Sequence, residues 1–134
     1  MLPKIKLSQK LSDNQKIYVA GAKNPVFLIQ GKNEYWVKGD RMSIGGKQRQ
    51  LGDFTTHEFD WIEGTQIYLF SDGYQDQFGG KDGYKLMRAK LRNLITQNRH
   101  LPMQEQRQVL LDFFQEWRSG YSQIDDVLVM GFQL

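Results

Sequence analysis

Two short acidic stretches, each at the edge of an apolar run, hold the side chains best suited to chemistry. In Gln66-Ile-Tyr-Leu-Phe-Ser-Asp-Gly73 an apolar strand ends in a carboxylate and a glycine. Asp72 can therefore leave the core at the strand end, and Gly73 lets the chain turn sharply beneath it. In the second stretch Asp125 and Asp126 directly precede Val127-Leu-Val-Met130. Successive strand side chains point to opposite faces, so a regular strand aims only one of these acids into a given pocket. Adjacent carboxylates repel unless a cation or a donor intervenes, which makes this pair suggestive of a divalent ion. Asp76 follows Asp72 past the turn and offers another carboxylate to the same cleft. Taken singly, each has a plain explanation: Asp-Gly is a common turn pair, and the other acids suit solvated loops.

The donor types available narrow the chemistry further. The chain has no cysteine, which removes thiol nucleophiles, zinc-thiolate sites, iron-sulfur clusters and disulfides. His57 and His100 lack a metal-ligand spacing, and no nucleophile elbow or phosphate-cradling Gly-x-x-x-x-Gly-Lys loop occurs. Carboxylates without Cys or paired His select hard cations, magnesium or manganese, over zinc or copper.

Those residues need a scaffold, and the 134-residue chain is the size of one domain, residues 1–134. Its 40% hydrophobic and 25% charged content fits a packed globular core. Apolar runs are only a few residues long, whereas a membrane span needs about 20, so no membrane contact and a cytoplasmic location are expected. Net charge is +3, but residues 81–99 carry +5, with Lys81, Lys85, Arg88, Lys90, Arg92 and Arg99 against Asp82 alone. With no nucleic-acid-binding motif beside it, that run is expected to be a solvated helix face and not a nucleic-acid site.

Strand patterns cover Leu2 to Leu7, Lys16–Ala20, Val26–Gln30, Glu34–Lys38, Phe54–Ile62 and Thr65–Phe70. Gly21 to Pro25 reads as a hairpin turn, Gly31–Asn33 as a second, and Gly39 to Gly52 as a glycine-rich loop. The period then changes. Met87, Leu91, Leu94 and Ile95 form one helical stripe, and Leu110, Phe113, Phe114 and Trp117 another, with Pro102 suited to the second helix's first turn. Asp126 to Leu134 returns to a strand. Strands, two helices and a final strand argue for an α+β class with antiparallel sheet.

Together, Ile67-Tyr-Leu-Phe-Ser-Asp-Gly73, the helical pair and Gln123-Ile-Asp-Asp-Val-Leu-Val129 resemble the metal-dependent protein serine/threonine phosphatases, in their bacterial sporulation stage II protein E branch. Ala20-Gly-Ala-Lys-Asn-Pro25 looks like that branch's hairpin, and Ser43-Ile-Gly-Gly46 like its glycine-containing loop. The resemblance runs from about Tyr18 to the end. It implies two antiparallel sheets sandwiched between helices, with Mn2+ or Mg2+ held by carboxylates. By motif match Asp72 and Asp125 take metal-ligand places and Asp76 the place of an additional, weaker ion. Gly73 supports the turn, and Asp126 orients without coordinating. The implied reaction is attack of a metal-activated water on phosphoserine or phosphothreonine in a protein substrate. In this branch the substrates are commonly phosphorylated anti-sigma-factor antagonists, and a sensor module lies upstream.

Relatives draw further metal ligands, including an Asp followed by Gly, from an N-terminal half, and no Asp-x-x-Gly-His-Gly occurs in these residues. The expectation is a C-terminal part of the phosphatase domain, poor at holding metal alone. Missing strands would leave open sheet edges, so pairing of copies, as a homodimer or by aggregation, is expected. The competing reading is a non-catalytic, phosphatase-like module that docks regulators through its helices.

Overall fold

The computed structural model describes residues 15–41 and 54–134 in full and residues 4–8 by their backbone. The strands are β1 (Lys4–Ser8), β2 (Lys16–Ala20), β3 (Val26–Gln30), β4 (Asn33–Val37), β5 (His57–Asp60) and β6 (Gln66–Phe70). Helix α1 (Gly73–Asp76), the hairpin strands β7 (Phe78–Gly79) and β8 (Tyr84–Lys85), α2 (Arg88–Asn98), α3 (Met103–Trp117) and β9 (Val129–Gln133) follow. Two compact units result, residues 1–70 with 130–134, and residues 71–129. The glycine-rich loop falls outside the described residues from 42 to 53.

The first unit contains two sheets, ordered β1-β2-β5 and β4-β3-β6-β9. β3 is antiparallel to both β4 and β6. Its run Val-Phe-Leu-Ile-Gln and β6's Gln-Ile-Tyr-Leu-Phe are buried at every position, as central strands covered on both faces must be. One face presents Val26, Leu28, Ile67 and Leu69 to Ile17 and Val19 of β2, with Phe59, Trp61, Phe132 and Leu134 closing the cluster. The other carries Phe27 between Trp36 and Tyr68, at ring distances of 5.3 and 6.1 Å, and Trp36 reaches on to Phe70 at 5.5 Å. Such tilted pairs add specific ring contacts to the burial of large apolar surfaces. β9, last in the chain, lies beside β6, and hydrogen bonds from Leu134 N to Thr65 O and from Ser71 N to Leu128 O bracket the pair.

One expectation is corrected here. Gly21 to Pro25 does not close a hairpin between β2 and β3, because these strands belong to different sheets. Ile17 and Val19 must face the same cluster as Val26 and Leu28, so the link carries the chain across the core. It is tied instead to residue 40: Lys23 N donates to Asp40 O at 2.7 Å and Asp40 N to Gly21 O at 2.8 Å. The Asp40 carboxylate accepts from Thr55 N at 2.6 Å and Thr55 Oγ1 at 3.0 Å.

The second unit is organised around polar groups that reach into its interior. Helix α2 buries Leu91, Leu94 and Ile95, and α3 buries Gln106, Leu110 and Phe114. Met87 is not part of the first stripe: it caps α2 with φ +75° and is 61% exposed. The break between the helices is satisfied by a buried amide, since Gln106 Nε2 donates to Leu101 O at 2.8 Å and to Arg99 O at 3.3 Å. Carbonyls at a helix end have no partner within the helix and need such a donor. At the other end of α3, Gly80 N donates to Trp117 O at 2.8 Å, and Trp117 Nε1 donates to Gln77 O at 3.0 Å. A Cβ on Gly79 would lie 1.9 Å from Trp117 O, so only glycine admits this approach.

Tyr74 joins α1 to α3. Its hydroxyl donates to Leu110 O at 2.7 Å and its ring lies 5.0 Å from that of Phe114. Burial pushes the phenol's pKa up from its ordinary 10.0. A raised folded-state pKa contributes stability that is intact below 10.0 and lost as pH rises beyond it, because the unfolded chain ionises first. Tyr74→Phe is expected to cost about 1 kcal/mol at neutral pH through the lost hydrogen bond. It should also flatten the alkaline fall in urea midpoint above pH 10.0. An alkaline slope identical in both proteins would refute the assignment.

Candidate metal centre

Helix α1 begins where β6 ends, and this junction packs directly on the approach to β9. Ser71 Oγ donates to Asp126 O at 3.0 Å and accepts from Leu128 N at 3.0 Å, while Ser71 N donates to Leu128 O at 2.9 Å. Two residues on, a Cβ at Gly73 would lie 2.2 Å from Asp126 O and 2.8 Å from Asp126 C. Glycine is required here by the close approach of another main chain. The structure thus brings the turn at Ser71 to Gly73 against the segment from Asp126 to Leu128. Asp72 and Asp125 are each one residue from a direct main-chain contact across that junction.

Asp125 and Asp126 precede β9, which begins at Val129, so strand alternation does not govern them as the sequence pattern suggested. A local turn does. Asp125 Oδ1 accepts from Asp126 N at 2.7 Å, and Asp125 O accepts from Gln123 Nε2 at 2.9 Å. These are local bonds between side chain and main chain, which compete with a regular ladder. Asp72, Asp125 and Asp126 are all exposed.

The acids at either end of α1, Asp72 just before it and Asp76 at its close, meet donors. Asp72 Oδ1 accepts from Gln75 Nε2 at 3.4 Å, and Asp72 O accepts from Asp76 N at 3.0 Å. Asp76 Oδ1 pairs with Lys85 Nζ of β8 at 3.3 Å, both side chains being roughly two-fifths exposed. An ion pair that open to water is weak. Gln75 Oε1 in turn accepts from Arg88 Nε at 3.2 Å. Sequence reasoning assigned no role to Ser71 or Gln75 and read Lys85 and Arg88 only as part of a solvated basic helix face, whereas Lys85 lies on β8 and pairs with Asp76 and Arg88 bonds Gln75. Only Ser71 had a visible signal, its place between an apolar strand and Asp-Gly; the others depend on the β7–β8 hairpin, which returns the chain beside α1.

The donor chemistry fits a hard divalent cation, since the groups at this edge are exposed carboxylates with neither thiol nor imidazole among them. Their number is smaller than such an ion needs: among the described residues no three or more His, Cys, Asp or Glu side chains stand together.

Two antiparallel sheets, an Asp-Gly turn after the apolar strand and an acidic pair before the last strand define a phosphatase-type fold with a carboxylate edge. The chain belongs to the Stage II sporulation protein E (SpoIIE) family, whose model matches residues 9–134. Among solved structures it is similar to the SiaA-PP2C domain of Pseudomonas aeruginosa, with 26% identity and a TM-score of 0.79 over 89% of this chain and 46% of that one. It is also similar in fold to the phosphatase domain of the cell fate determinant SpoIIE from Bacillus subtilis, at 18% identity and a TM-score of 0.56 over 98% of this chain and 57% of that one. A Mn-presoaked structure of the same domain matches with a TM-score of 0.57. No match was found among curated proteins. The chain spans about half the length of these solved relatives. Among the described residues no helix is long and apolar enough to cross a membrane.

The junction makes a graded expectation. Gly73→Ala forces backbone apart and should lower stability by about 1–3 kcal/mol. Ser71→Ala, which loses two partly solvated hydrogen bonds, should cost about 1 kcal/mol. Urea unfolding of both variants checks the order, and a neutral Gly73→Ala would contradict the close approach.

Proposed function

We propose that this chain is the C-terminal part of a metal-dependent phosphatase domain that hydrolyses phosphoserine or phosphothreonine in a protein substrate. The observation that carries the reading is the junction of Ser71, Gly73 and Asp126, which brings two acidic segments, distant in the chain, to one edge. Family membership and the phosphatase titles of the solved relatives support it.

In this reading Asp72 and Asp125 hold Mn2+ or Mg2+, Asp76 holds a weaker additional ion after release from Lys85, and Asp126 orients Asp125. Gly73 keeps the turn close to the acidic pair. The remaining ligands come from the other half of the domain. When bound, the cations lower the pKa of water and neutralise phosphate oxygens. What the chain's own residues do is hold together the main chain that carries the carboxylates: Ser71 ties the turn to Asp126 O and Leu128 N, and Asp125 is turned by its bond from Asp126 N. The substrate would be a cytoplasmic phosphoprotein of the anti-sigma-factor-antagonist type, with control from an upstream sensor module and with homodimerisation through unpaired strand edges.

The test uses the natural-length protein with Mn2+ and a phosphopeptide or p-nitrophenyl phosphate. Asp72→Asn and Asp125→Asn should each lower kcat by about 100-fold or more, in line with the several kcal/mol that metal ions supply. Asp76→Asn should lower it by less than about tenfold, as befits a weaker ion. Full turnover in Asp72→Asn and Asp125→Asn would sink the assignment, and an inactive wild-type preparation would favour the regulatory-module reading.

A further inference from the structure

Gln75 is 9% exposed, and both ends of its amide are engaged. Its oxygen accepts from Arg88 Nε at 3.2 Å, and its nitrogen donates to Asp72 Oδ1 at 3.4 Å. The orientation follows from donor inventory. A guanidinium has only donors, so it turns the amide oxygen toward itself; the NH2 end then faces the carboxylate, which only accepts. Reversing the amide would set donor against donor and acceptor against acceptor. The main chain is held as well, since Gln75 O accepts from Met87 N at 2.8 Å. Arg88 opens α2, so the order Arg88 to Gln75 to Asp72 runs from the start of a long helix to the acid that ends the β6 turn.

We propose that Gln75 is the positioning residue of the metal centre, holding Asp72 by one carboxylate oxygen while Arg88 locks the amide's sense. This rests on the function proposed above, in which Asp72 is a ligand. The neighbouring acid shows why an amide suits the task. Asp76 is held by the ammonium of Lys85 at 3.3 Å, a full positive charge that a cation must displace. An amide donor fixes a carboxylate without that competing charge, and Arg88 sits one group further back. Donors behind a metal ligand typically govern affinity or activity by about 10–100-fold.

The experiment measures Mn2+ binding to the natural-length protein by electron paramagnetic resonance of the free ion, with melting of the metal-free protein in parallel. Gln75→Met, which keeps length and removes both polar ends, should weaken Mn2+ binding by about tenfold or more with little change in metal-free Tm. Arg88→Met should weaken it less. The double variant should bind like Gln75→Met alone, since in the proposed relay Arg88 reaches Asp72 through the amide; losses that multiply would overturn the relay. Wild-type Mn2+ affinity in Gln75→Met would overturn the proposal. Should that variant not fold, Arg88→Met decides, and unchanged affinity there counts against it. Asp72→Asn separates the two readings: if it leaves binding intact, both fall, whereas if it abolishes binding while Gln75→Met does not, only the positioning role falls.

Discussion

A single hydroxyl, that of Ser71, closes the two acidic segments onto one another by donating to Asp126 O and accepting from Leu128 N. Everything proposed for the carboxylates depends on this closure, because an aspartate side chain is too short to compensate for a misplaced main chain. The absence of a side chain at Gly73 is the other half of the constraint. With Asp126 O 2.2 Å from where a Cβ would sit, the Asp-Gly pair here serves main-chain packing and not only a turn. A pair that is commonplace in sequence becomes specific through what it touches.

Away from that junction, residues 71–129 rely on amides and a phenol to tie elements together. Gln106 closes the break between α2 and α3, the Gln77 amide nitrogen donates to Ser122 O at 2.9 Å while its main-chain carbonyl accepts from Trp117 Nε1, and Tyr74 bonds Leu110 O. Buried polar groups of this kind favour one arrangement, since any slip leaves them unpaired at a cost of about 1–3 kcal/mol each. Among the described residues the buried Gln77 Oε1 is the exception, with no hydrogen-bond partner. The basic stretch of 81–99 is partly spent on internal contacts: Lys85 on Asp76, Arg88 on Gln75, and Lys90 over the Phe113 ring at 5.3 Å.

Among the described residues no cluster of three metal-ligating side chains forms, and the solved relatives are about twice as long. Under the function proposed above, the remaining ligands come from elsewhere, and local hydrogen bonds order the acids present here.

Strand and helix identities were legible in the residues because local periodicity reports which face is buried: Val26–Gln30 and the Leu91, Leu94 and Ile95 stripe appear as expected. The exposure of Asp72 and Asp125 was legible too, since a carboxylate at the end of an apolar run marks an exit from the core. Sequence patterning could not say that β2 and β3 part into separate sheets, because alternation fixes a buried face and not the neighbour that covers it. Nor could it reveal the two-residue strands β7 and β8, too short for any period, and with them the return of Lys85 and Arg88 beside α1. What the sequence determined by itself was the longer strands and helices and the chemical type of the donors, both properties of near neighbours. Which donor meets which acid was decided only by tertiary structure, because contacts such as Ser71 with Asp126 join residues that only long-range packing brings together.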